Sequence, residues 1–358
     1  MQRPRNLLLL STPVAPLGSG IGGGVEYTVA ALSRLLISRN YYVEVAAPQG
    51  SRLPAVHLTE IFGVLQPTAQ HQSRTARAFT PQNGILSNMC RYLVERQEEA
   101  DLIINFAYDW TPLYMTPQLD TPMGHFITMS SLNDAMDYEI TQLAKRTPGR
   151  LACYTRTQAE TFPQPESLIP LGCGINTAHY TFCAEPDSYI VWIGRISKEK
   201  GLADAVELAD RTGIQLRILG KLEEPDYWNE INRQFPDAPI RYEGFLGREK
   251  LQASIRKAKA LLMTPRWIEA FGIVALEALA CGVPVISYQR GGPAEIIEDG
   301  KTGFLTCPDS VDGLIEAVEK LSQIDRRACR QVAEGEYSLH SWGDRFEKWC
   351  KEMYITSG

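Results

Sequence analysis

"TPRWIEAFGIVALEALACGVPVISYQRGGPAEII", Thr264–Ile297, packs the end of one strand, a helix and a second strand into one short span. The apolar run ALLMTPR before it predicts a strand. AFGIVALEALA is free of breakers and stops at Gly282 with Pro284 close behind, as helices usually stop. VPVISY then has the β-branched content of a buried strand. Strands and helices that alternate with such short connections build a parallel sheet covered by helices.

The same alternation extends in both directions. Candidate strands in the second half are SYIVWIGR, QLRILGK, IRYEGF, ALLMTPR, VPVISY and GFLTC, with helical segments such as EKLQASIRKAKA between them. In the first half they are NLLLLST, YVEVAAP, ADLIINF and GHFITMS, with a helix at VEYTVAALSRLLISRN. The pattern predicts an α/β protein of two successive Rossmann-like, doubly wound domains, 1–170 and 180–337. Their boundary falls in FPQPESLIPLGCGINTAHY, where Pro and Gly interrupt the periodicity. The terminal segment 338–358 spaces Trp342, Phe346, Trp349 and Met353 along one helix face, either capping the second domain or crossing back to the first. Ligands of open α/β sheets bind at the carboxyl ends of the strands, so function is expected there, in the cleft between two such domains.

Composition narrows the partners. The chain has 358 residues, 44% hydrophobic and 22% charged, with a net charge of -6. It has no cationic field to draw it to nucleic acid or anionic lipid. Arginines such as Arg74, Arg77, Arg91 and Arg96 are scattered rather than clustered. The eight cysteines form no C-x-x-C pair, which predicts a reducing, cytoplasmic setting and no zinc site. The four leucines after Arg5 are too few for the ~7–15 residues of a signal-peptide core and read as a buried first strand. Small molecules are the expected partners; the sequence leaves the oligomeric state open.

The second half carries the sharpest chemistry. A helix starting near Phe271 and Gly272 points free amides at the strand ends, a place suited to a diphosphate. Glu269 precedes that helix and Glu277 lies inside it, and carboxylates accept bonds from the vicinal hydroxyls of sugars and ribose. Glu269 also fits a helix-start acid and Glu277 a solvated one. Yet Glu277 sits in an otherwise apolar run, where a bare carboxylate needs partners. In VWIGRISKEKGL a strand ends at Gly194, and Arg195 and Lys200 follow in a loop opening a helix. Arg supplies a planar fork and Lys a point charge for phosphate oxygens.

GRISKEKG, then EAFGIVALEALACGVPV, GGPAEII and GKTGFL together resemble the family 4 retaining glycosyltransferases of the GT-B fold. Their signature is two glutamates with seven residues between, here Glu269 and Glu277. The resemblance covers nearly all of the second half; in the first half only GIGGGVEYTVAALSRLL matches well. It implies that Arg195 and Lys200, beside Gly194, hold a donor diphosphate. Glu269 and the backbone of Ala270, Phe271, Gly272 and Ile273 would hold the transferred sugar and distal phosphate. Glu277 would bind ribose, backbone groups at Phe245 and Leu246 would face the nucleobase, and Gly22 and Gly23 would approach the diphosphate. The implied reaction is retaining hexosyl transfer from a nucleoside diphosphate sugar, UDP-glucose by preference, with no cofactor and no metal. The chain contains no D-x-D.

The acceptor is expected at first-domain strand ends. Phe106, Tyr108 and Trp110 can stack on a flat ring and Asp109 can bind its donor edge; the same residues also fit a packed loop with a capping aspartate. Together with chain length they resemble the pteridine glucosyltransferases, which use UDP-glucose and tetrahydrobiopterin. The family commonly has a histidine late in a first-domain strand. His125 in TPMGHFITMSS is its candidate, weighed against a core histidine, and Thr128 and Ser130 are alternatives. A lipid or polysaccharide acceptor, or a nucleotide-sugar-binding protein without turnover, are the rival readings.

One motif points elsewhere. Gly18, Gly20 and Gly23 of GSGIGGG match the dinucleotide spacing G-x-G-x-x-G, with Glu44 in the next strand as a ribose acid. But PVAPL makes the turn after the first strand longer than that fingerprint requires.

Overall fold

A computed structural model describes residues 4–76 and 80–356. Arg77 and residues 357–358 of the terminal segment lie outside the described residues. The chain divides into two compact units: one runs up to Gly174 and resumes at Leu339, and the other is Ile175–Ser338. The division falls within the Pro- and Gly-rich stretch Phe162–Tyr180.

The first unit contains β1 (Asn6–Leu10), β2 (Tyr42–Pro48), β3 (His57–Ile61), β4 (Leu102–Asn105), β5 (Met123–Ile127), β6 (Leu151–Cys153) and β7 (Leu168–Pro170). They form one sheet in the order β3-β2-β1-β4-β5-β6-β7, and each recorded pairing is parallel. Leu7 to Leu10 are at most 3% exposed, because a parallel sheet covered on both faces needs continuous apolar strands. Three of these strands are absent from the sequence expectation. β3 is an edge strand with a polar, half-exposed pattern, and β6 and β7 have three residues each. β7 ends in Pro170, which an edge tolerates.

The second unit contains β8 (Ile190–Ile193), β9 (Leu216–Leu219), β10 (Ile240–Gly244), β11 (Leu261–Met263), β12 (Val285–Tyr288) and β13 (Gly303–Thr306). Their order is β10-β9-β8-β11-β12-β13, again with parallel pairing. All six lie in segments expected from sequence. The helix between β11 and β12 is Ile273–Ala280, which leaves Ala270–Gly272 to the loop ahead of it.

The C-terminal helix, Leu339–Ile355, belongs to the first unit. Trp342, Phe346, Trp349 and Met353 form its buried stripe, each at most 2% exposed. Arg39, just after the Gly24–Ser38 helix, pairs with Asp344 at 2.8 Å and with Glu347, and donates to the His340 carbonyl at 2.8 Å. The eight cysteines are unpaired. Among the described residues no helix is long and apolar enough to cross a membrane.

Candidate functional site

In each sheet the strand order reverses once, between β1 and β4 in the first unit and between β8 and β11 in the second. Loops leaving the carboxyl ends of strands on either side of such a reversal diverge and open a crevice, where ligands of open sheets bind. The sequence candidates follow these four strands, apart from Phe245 and Leu246 after the edge strand β10 and the three residues associated with β5.

In the second unit the loop after β8 carries Gly194, Arg195 and Lys200, and the loop after β11 carries Glu269. The structure brings the last two together. Lys200 Nζ is ion-paired with Glu269 Oε2, and both side chains are less than one-fifth exposed. Trp267 completes the group: its Nε1 donates to the same oxygen at 3.2 Å, and Lys200 Nζ lies 4.9 Å from its ring centroid, within cation–π range. Arg195 is held separately, by Glu199 at 2.8 Å and by Glu223. Both cations therefore face carboxylates in this structure, and a diphosphate would have to replace or share those partners.

Several bonds fasten the two loops. Arg266 N donates to the Glu199 carbonyl at 2.8 Å, and Thr264 Oγ1 donates to that of Gly201 at 2.8 Å. Arg290 donates to the Pro265 carbonyl at 2.8 Å and also pairs with Asp309 at 2.7 Å. Below them Arg266 pairs with buried Asp204, which accepts from Tyr288 at 2.8 Å; burial and this carboxylate push the Tyr288 phenol far upward.

The GGP turn was legible as a motif, but sequence gave it no role. Gly292 N donates to the Glu269 carbonyl at 2.7 Å. Gly291 has φ +68°, and a Cβ there would stand 2.6 Å from that same carbonyl oxygen. Only glycine lets the turn lie flat against the backbone of Glu269.

The Ile273–Ala280 helix starts at left-handed Gly272 with no side-chain cap, and in its first turn Ala275 N donates to the Gly272 carbonyl at 2.9 Å. Ala270 and Phe271 are buried beside it. Glu277, partly exposed, finds the partner that its apolar surroundings demand in Tyr180, whose hydroxyl donates to it at 2.8 Å. Burial raises its pKa, opposed by that bond and by the charge of Arg248. Tyr180 was missed because a contact across 97 residues leaves no local trace. Phe245 is 63% exposed and Leu246 half-buried, at the carboxyl end of β10.

The first unit treats its candidates differently. Tyr108 is largely enclosed, donating to the Ser130 carbonyl at 3.2 Å and accepting from Leu132 N at 3.1 Å; burial pushes its phenol up. Asp109 caps the Trp110–Met115 helix through Thr111 N at 2.9 Å, and burial raises its pKa. Trp110 packs with Tyr108 against the cluster around Ile127 and Leu151. The flat-ring platform expected from sequence is thus largely committed to the protein's own packing. Thr128 is half-buried just beyond β5, and Ser130 is 4% exposed.

His125 sits as the core-histidine alternative would have it. It is fully buried in β5, with Nδ1 3.1 Å from Asn105 Nδ2 and Nε2 2.7 Å from Thr116 Oγ1. The Asn105 amide also donates to the Ala107 carbonyl, so its nitrogen faces Nδ1 and the imidazole carries its proton on Nε2. Burial, with the charge of Arg150 added, lowers its pKa to about 3.

The glycine loop is also spoken for. The amides of Gly18, Gly20 and Gly22 all donate to the carboxylate of Glu26, so the Gly22 amide is not open to a diphosphate. Glu44, the would-be ribose acid, accepts from Thr59 at 2.8 Å and from Tyr92 instead. Gly23 is the N-cap of the following helix.

Comparison with known proteins bears on the second unit first. Residues 182–337 match the model of the glycosyl transferases, group 1. A glycogen synthase of Mycobacterium tuberculosis (strain CDC 1551 / Oshkosh) is 31% identical over 174 residues, covering 44% of this chain and 42% of its own. The chain thus spans about two-fifths of the length of the first curated relatives it matches. Solved structures align along nearly the whole chain. AviGT4, a glycosyltransferase involved in avilamycin A biosynthesis, has a TM-score of 0.73 at 19% identity, covering 98% of both chains. Anabaena HepE in complex with UDP-glucose has a TM-score of 0.72 at 16% identity, covering 96% of this chain and 98% of its own. These likenesses show the fold, which is GT-B, as the sequence resemblance implied.

Proposed function

We propose that the chain is a retaining glycosyltransferase that moves a hexose, glucose from UDP-glucose, to a hydroxyl of a small acceptor. The observation that carries this reading is the Lys200–Glu269 pair. It joins the loops on both sides of the second unit's strand reversal, beside a helix start without a side-chain cap, in the segment that matches the group 1 transferases. Binding of UDP-glucose by HepE, a protein of like fold, supports the choice of donor.

In this reading the bond from the anomeric carbon to the distal phosphate oxygen breaks as the bond to the acceptor oxygen forms on the same face. The acceptor proton passes to the departing phosphate. Negative charge grows on the diphosphate during that step, so Lys200, Arg195 and the amides of the Ile273–Ala280 helix bind the transition state more tightly than the ground state. Glu269 holds the transferred sugar and Glu277 the ribose, with backbone groups at Phe245 and Leu246 facing the base. Charge neutralisation is assigned to these groups and not to a metal. The acceptor is assigned to the first unit's strand ends, near Thr128 and Trp110. Tetrahydrobiopterin is the finer candidate, and it draws less support from a loop whose Tyr108 and Asp109 are turned inward.

The test is release of UDP from UDP-glucose, UDP-GlcNAc and GDP-mannose with an acceptor panel that includes tetrahydrobiopterin, products being identified by mass spectrometry. Lys200→Ala should lower kcat/KM about 10²–10³-fold, the usual loss when one donor to a developing anion is removed. Tight UDP binding with no turnover on any acceptor would make the chain a binding protein.

A further inference from the structure

The GSGIGGG loop has the letters of a phosphate cradle, and the structure shows a cradle already filled. Glu26 lies in the first turn of the Gly24–Ser38 helix and is 7% exposed. Its Oε2 accepts from Gly18 N at 2.7 Å and Gly20 N at 3.1 Å. Its Oε1 accepts from Ser19 Oγ at 3.0 Å and from Gly22 N. Positive φ at Gly18 and Gly20, +84° and +76°, lets successive amides converge on one point. That is the geometry of an anion nest. Four donors on one enclosed carboxylate are charge-assisted bonds, stronger than neutral ones. A second anion at the same amides would meet a carboxylate in contact, which sets this loop apart from a dinucleotide site.

The loop leaves the carboxyl end of β1 beside the first unit's strand reversal, where a ligand is expected, and Ile21 at its tip is 58% exposed. We propose that Glu26 is a positioning residue: its carboxylate is the resident anion on which the glycine loop is folded, and sugar transfer depends on the loop being so held. The inference rests on the transferase reading above. Glu26 acts through the loop: it fixes the shape of a segment that lies where a ligand is expected.

A vacated anion nest can be refilled, and that distinguishes this role from simple scaffolding. Glu26→Ala should lower kcat at least tenfold while UDP affinity, measured by calorimetry, stays within twofold. Formate should restore kcat at least threefold and raise the melting temperature of Glu26→Ala, and should leave the wild type unchanged. Glu26→Gln keeps the shape but turns an N–H donor toward the amides. It should share the loss without the formate response, and it serves if Glu26→Ala does not fold. Wild-type turnover in either folded variant, or a loss in natively melting Glu26→Ala that formate does not relieve, would overturn the proposal. Absence of UDP release by the wild type itself would overturn the transferase reading and the positioning role with it. The formate shift in melting temperature reads the cradle independently of activity.

Discussion

A neutral imidazole enclosed on all sides is stable only while it stays neutral. His125 is bonded at both nitrogens in that form, and its pKa of about 3 lies well below the usual ~6.5 of an unfolded chain. Between these two values the unfolded state binds a proton that the folded state does not, so stability rises with pH there. The contribution is complete above pH ~6.5 and is lost as pH falls toward 3, at up to about 1.4 kcal/mol per pH unit. Urea unfolding of the wild type at pH 7.5, 6, 5 and 4 should therefore show a steeper decline than that of His125→Gln. Parallel profiles would mean that His125 does not titrate as an enclosed group.

At the scale of elements, the loop bearing Glu269 has no regular structure of its own and takes its shape from the turn beneath it. Gly291→Ala puts a methyl group 2.6 Å from the Glu269 carbonyl oxygen and 2.7 Å from its nitrogen. It also places a side chain at φ +68°, which costs about 1–2 kcal/mol. Gly213→Ala is the control, because that residue has φ +69° and no heavy atom within 4 Å of a Cβ. Both variants should melt lower, but only Gly291→Ala should lose UDP-sugar turnover, by more than tenfold. Equal turnover in the two would show that the turn does not set the position of Glu269.

This loop also shows what sequence could and could not reveal. Its strand and helix neighbours were legible because buried parallel strands and an uninterrupted apolar helix write continuous runs into the chain. β3, β6 and β7 were not, being short or at a half-exposed edge. Lys200 and Glu269 stood out as types suited to phosphate and hydroxyls, each at a strand end. Their partners did not: Glu223 meets Arg195 across 28 residues and Tyr180 meets Glu277 across 97, distances at which no periodicity survives. Glu26 lay in plain view four residues past Gly22, but an acid in a first helical turn ordinarily reads as a dipole partner.

For the molecule as a whole, the order of the chain differs from the order of its units. The group 1 match ends at residue 337, and from Leu339 onward the chain belongs to the unit in which it began. The first unit is therefore closed by a helix that follows the second unit in the chain, and its stability depends on the stripe Trp342–Phe346–Trp349–Met353. Trp349 is 1% exposed, donates from Nε1 to the Gly149 carbonyl at 2.8 Å, and packs edge-on against Phe346 with centroids 5.5 Å apart. Trp349→Ala should cost about 3–5 kcal/mol, the usual loss for a buried aromatic. Because the loss falls on one unit, hydrogen exchange should quicken in β1, β4 and β5 and in the Gly24–Ser38 helix, and remain slow in β8 to β13. Equal quickening in both sheets would show that the two units unfold together and that the last helix supports the whole chain.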